Sequence, residues 1–147
     1  MQKITFEDLP STNSPINATN LNQLQTNVEN AIPTRTTLWV NPNPTSSFGG
    51  QQITLSSNNY DELIIYYKEI ASGITLFTQI IEKGYSTRLF IGFAPSDVKG
   101  AIYERTMTIN SETSYTFGDA SFFYSSTQQQ GTNNNLIVPF KIVGIKY

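Results

Sequence analysis

The chain has 147 residues, the size of one ordinary domain, and its 14% charged residues and net charge of −2 are too little of either sign for a nucleic-acid or anionic-membrane footprint. It has no cysteine and no histidine, which removes disulfides, thiolate nucleophiles, thiolate metal sites, the commonest general base and every Ser-His-Asp or Cys-His arrangement. Asn, Gln, Ser and Thr carry the solubility instead, a palette that suits sheets with amide and hydroxyl outer faces, and surfaces that meet sugars or pack closely in an assembly.

The opening MQKITFEDLP has no apolar run of signal-peptide length, and no stretch approaches the roughly 20 apolar residues of a membrane helix. The expectation is a protein made and kept in solution, or released by lysis. After Asn17, a good helix N-cap, Leu21, Leu24, Val28 and Ala31 recur at the heptad spacing of three, four and three among Asn, Gln and Thr, with Ile32 beside the last, and Pro33 closes the segment. A helix over about 18–32 would span roughly 21 Å and is marginal alone in water. Its thin apolar stripe is covered either by the chain's own β domain or by copies of itself in a short parallel bundle; on the second reading Leu21, Leu24, Val28 and Ile32 carry oligomerisation.

From 35 to 147 the pattern is short β runs between turn signals. Strands are expected at 36–40, 52–55, 60–69, 74–82, 85–93, 101–109, 114–117, 120–124 and 136–147. Within 60–69, Leu63, Ile65 and Tyr67 face one way and Ile64, Tyr66 and Lys68 the other, which suits a central strand. Lys83-Gly84 could make a hairpin turn, Gly118-Asp119 is expected to turn, and SSTQQQGTNNN (125–135) reads as a loop. Arg105 falls on the apolar side of its strand, so it lies near a wet end or pairs with a carboxylate. Pro139 marks an edge or a bulge. The fold class is mainly β, an antiparallel β-sandwich or jelly roll preceded by one N-terminal α-helix.

The segments ITFEDLPSTNSPINATNLNQLQTNVENAI and TTLWVNPNPTSSFGGQQITL, with the ending LIVPFKIVGIKY, resemble a family of small virion proteins from the tail or host-interaction region of phages and prophages of Gram-positive bacteria. The matching positions are Phe6, Asp8, Leu9, Pro10, Pro15, Asn17, Ala18, Asn20, Leu21 and Asn22, then Leu38, Trp39, Asn41, Pro42, Asn43, Pro44, Phe48 and Gln52. The resemblance covers the first third and the last dozen residues. It implies a virion protein made in the host cytoplasm, with the N-terminal part attaching or trimerising and the β domain projecting as a fibre tip, baseplate appendage or receptor-binding head. Its partners would be itself as a homotrimer, other virion tail proteins, and a host-surface saccharide or protein. The competing class is a structural collar, plug or decoration protein with no receptor of its own. No catalytic residues come with the resemblance.

The 11 carboxylates are scattered and no spacing selects a glycosidase pair, so no enzymatic activity is expected. No calcium-loop or phosphate-loop pattern is present, and no metal or other cofactor is implied. The aromatic run Phe122-Phe123-Tyr124 cannot all face inward, since alternate side chains of a strand point to opposite faces. Beside it, the Asn/Gln-rich loop offers the paired donors and acceptors that match sugar hydroxyls. The candidate ligand-binding residues are Phe123, Tyr124, Gln129, Asn133 and Asn134.

Overall fold

The structure is a computed structural model that describes residues 18–70, 75–93 and 100–147. The Asn17 cap, the opening part of the motif and the first residue of the strand expected at 74–82 lie outside the described residues. The chain divides into two compact units, residues 1–34 with Tyr147, and Arg35–Lys146.

In the first unit, α1 (Ala18–Ala31) stops just before Pro33. Its polar face is laced by amide contacts one turn apart, Gln23 Nε2 to Asn27 Oδ1 at 2.8 Å and Gln25 Nε2 to Glu29 Oε1 at 3.1 Å. Among the described residues, no helix is long and apolar enough to cross a membrane.

The rest is β. β1 (Thr34–Val40), β2 (Gln51–Thr54), β3 (Glu62–Glu69), β4 (Thr75–Glu82), β5 (Thr87–Phe93), β6 (Ala101–Ser111), β7 (Ser114–Tyr124), β8 (Gln129–Thr132) and β9 (Val138–Lys146) form two antiparallel sheets in a sandwich. One sheet has the order β1-β9-β3-β4, and the other runs β2-β7-β6-β5 with β8 also on β7. β3 is interior, as its two bulky faces led us to expect. Leu63, Ile65 and Tyr67 enter the core between the sheets with Ile142, Leu89, Ile91, Tyr103, Met107, Tyr115 and Phe117. Each fully buried aliphatic or Phe side chain contributes about 1.5–3 kcal/mol. Ile64 joins Val143, Ile145 and the half-buried Tyr66 in a smaller cluster on the opposite face of the sheet.

Four local expectations change. Lys83-Gly84 makes no hairpin: β4 pairs with β3 and β5 with β6, so the connection, with Gly84 at φ 84°, is a corner between the two sheets. Gly118-Asp119 makes no turn either, because β7 runs unbroken through it. The register passes from Arg105 opposite Ala120 to Met107 opposite Phe117, so β7 has one extra residue there, a bulge. The glycine is needed for space, since a Cβ on Gly118 would lie 2.4 Å from Thr106 Oγ1. The 125–135 loop contains β8, which returns along β7 with Phe122 opposite Gly131 and Phe123 opposite Gln130. Arg105 is at no wet end and makes no direct ion pair: it is fully buried, with the Asp119 carboxylate reached through Asn134.

Pro139 resolves as a bulge on the interior strand β9, where Tyr66 faces Lys141 but Tyr67 faces Pro139. Asn41, from the NPNP turn, pins it: its Nδ2 donates to Pro139 O at 2.9 Å, its backbone N–H donates to Phe140 O at 2.9 Å, and its Oδ1 accepts from Asn43 N at 2.9 Å.

Candidate functional site

The outer face of the second sheet carries an ordered grid of side chains. Antiparallel pairing sets Ile102 opposite Phe123, and Phe123 opposite Gln130; the next row runs Phe90, Glu104, Ser121, Thr132. Cross-strand partners share a face, so these residues all point away from the core. Three large apolar groups in it are open to solvent, Phe90 at 50%, Ile102 at 42% and Phe123 at 39% exposure. The ring of Phe90 leans over Gly92, where a Cβ would meet its Cε1 at 3.3 Å, so the missing side chain lets the ring spread towards the Ile102 row.

Between β6, β7 and β8 this face hollows into a groove of about 690 Å³ lined by Ile102, Glu104, Ser121, Phe122, Phe123, Gln130, Gly131 and Thr132. The Glu104 carboxylate is held at one oxygen by Arg88 Nη1 at 3.2 Å and approached at the other by Ser121 Oγ at 3.4 Å. The lone pairs left over on both oxygens can accept further hydrogen bonds. An apolar floor beside a few fixed polar groups is the composition of small-ligand sites.

Of the residues named from sequence, Phe123 forms a wall of this groove. Gln129 is exposed on β8 opposite Tyr124, and the neighbouring Gln130 is the amide that lines the groove. Tyr124 turns inward, its ring 4.9 Å from Phe122 and 6.4 Å from Tyr103. Asn133 is occupied in a turn: its N–H donates to Ala120 O at 2.9 Å and its Oδ1 accepts from Asn135 N at 3.0 Å. Asn134 is drawn into the core network, where its Oδ1 accepts from Ala120 N at 2.9 Å and Arg105 Nη2 at 3.1 Å while its Nδ2 donates to Asp119 Oδ1 at 2.9 Å. The groove therefore brings Phe123 together with Ile102, Glu104, Ser121 and Thr132, which sequence reading passed over. Only strand register joins them, and the available signal was the alternation within 101–109, which sets Glu104 on an outer face.

Behind the sheet, Arg105 converges on backbone carbonyls. Its Nε donates to Ile137 O at 2.7 Å, its Nη2 to Phe48 O at 2.5 Å, and its Nη1 to Gly118 O, with the guanidinium 5.2 Å from the Phe48 ring centre. Burial pulls its pKa down from 12.5 to about 10, the Asp119 carboxylate acting against the fall, so it stays protonated at neutral pH. The Asp119 carboxyl is held below its ordinary value by the Gly50 N–H at 2.7 Å, then by Asn134 and the charge of Arg105. Within this cluster Arg105 is fully buried, while Asp119 is exposed at the surface.

In the first unit the helix stripe is open along much of its length: Leu24 is 60%, Val28 53% and Ile32 46% exposed in the single chain, and Leu21 is half-buried. Ile32 sits one residue beyond α1. Among the described residues, no group of three or more acidic side chains is placed to hold a metal ion. Comparison with protein-family models, with curated proteins and with solved structures finds no match to this chain.

Proposed function

We propose that the chain is a structural protein of a phage virion, a trimeric tail-fibre tip or baseplate receptor-binding protein whose helices assemble and whose sandwich attaches to a saccharide or protein on the host surface. The observation that carries the attachment is the grid on the outer sheet face, where Phe90, Ile102 and Phe123 stand exposed beside a fixed carboxylate, hydroxyls and an amide. The virion assignment rests on the resemblance of residues 4–32 and 36–55 to tail-region proteins. Assembly is supported by the exposed Leu24, Val28 and Ile32, since a stripe of this kind needs an apolar cover. Glu104 is the single carboxylate among the described lining residues, whereas glycoside hydrolysis takes a pair, so the groove suits holding a ligand rather than cutting it.

The test is sedimentation of the full chain with cell walls from a panel of Gram-positive bacteria. Co-sedimentation with a subset of walls, weakened by Phe123→Ala, is the expected result. Binding to none of them would overturn attachment in favour of a collar or decoration role.

A further inference from the structure

We infer that the groove on the outer sheet face takes an uncharged pyranose residue of a glycan, its apolar face laid on Phe123 and Ile102 and two adjacent hydroxyls donated to the Glu104 carboxylate, and that it turns anionic saccharides away. This rests on the receptor-binding reading above and narrows it to one chemical class.

Among the described residues lining the groove, Glu104 alone is ionisable, and it is an anion. Among the described residues the cation beside it, Arg88, is paired with Glu104 Oε2 at 3.2 Å, so the pair carries no net charge to draw an anion. A phosphate, sulfate or carboxylate entering the groove would meet Glu104 with no further cation among the described lining residues. A neutral ring meets no such barrier. A carboxylate fixed at both oxygens, each with acceptor capacity left, matches a vicinal diol, which presents two O–H donors side by side. The exposed ring of Phe123 and the Ile102 side chain opposite it give the apolar surface on which the C–H face of a pyranose loses water. Gln130 and Thr132, across the strand from Phe123 and Ser121, add an amide and a hydroxyl at the rim.

The experiment uses the full chain on two sets of probes. The first is a glycan array holding uncharged oligosaccharides of glucose, galactose, rhamnose and N-acetylglucosamine beside sialylated, uronate-containing and glycerol-phosphate polymers. The second is cell walls that the protein sediments with, either untreated, treated with periodate to cleave vicinal diols, or treated with protease. Expected are array hits confined to uncharged members, loss of wall binding after periodate but not after protease, and affinity lowered roughly tenfold by Phe123→Ala and by Glu104→Gln. With Arg88 released, Glu104→Gln should also gain affinity for the glycerol-phosphate polymer, which a merely structural change would not produce.

Hits confined to anionic glycans, or wall binding lost to protease and kept after periodate, would overturn the inference while leaving receptor binding intact, the second outcome in favour of a protein receptor. Wall binding unchanged in both variants would overturn the groove as the site. Binding to no wall and no glycan would overturn this inference and the receptor-binding reading together.

Discussion

At the scale of single residues, Arg105 shows how a full charge is kept inside a β-sandwich. Three carbonyl dipoles from separate segments, Phe48, Gly118 and Ile137, converge on one guanidinium, and Asn134 relays it to the Asp119 carboxylate. Arg105→Met preserves bulk but strands those buried acceptors, and we expect a loss of about 3 kcal/mol or more in urea unfolding. Arg105→Lys should recover only part of it, because an ammonium cannot fork towards several carbonyls. Asp119 gives a pH signature. Its folded pKa lies below the ordinary 3.8, so its stabilisation is present above that value and disappears as the pH falls through the lowered one. Asp119→Asn should therefore melt earlier than the native protein near neutral pH, with the gap in Tm closing as the pH falls below the ordinary carboxylate value of 3.8. The sequence exposed Arg105 as an anomaly on an apolar face. Its answer was illegible there, since the accepting carbonyls come from residues 13, 32 and 57 positions away.

Among the elements, β7 is where local sequence signals and tertiary context conflict most. Gly-Asp is a strong turn dipeptide, yet here the strands on either side share one neighbour, β6, and the extra residue is absorbed as a bulge over Thr106. Gly118→Ala should destabilise the fold by about 1–3 kcal/mol through crowding of Thr106. Thr106→Ala added to it should restore much of that loss, a coupling that thermal melts of the two single variants and the double variant would reveal. Strand identity was legible for the run at 60–69, bulky in sequence and buried in the structure on both faces, and for 101–109, where period two and burial agree. β8 was not, because QQGT has neither apolar alternation nor β-branched bulk apart from its threonine and exists as a strand only through β7. The same dependence hid the groove: Phe123 announced itself by its aromatic neighbours, but Ile102, Glu104 and Phe90 join it only through register.

For the whole molecule, the question is how the head is mounted. If sister helices cover the stripe, Leu24→Asp should turn a particle of three times the chain mass into a monomer by light scattering, with the β circular dichroism of the sandwich retained. A native protein that is already monomeric would remove the trimer. A further consequence follows from the flank of β7. β2 leaves it at Phe117 and β8 takes over at Ser121, and in the interval Gly50, Asn133 and Asn134 bond to Asp119 and Ala120 in place of a strand. That flank offers no continuous ladder of free amides, so protein held at high local density, as in a crowded appendage, is guarded there against zipping edge to edge into fibrils.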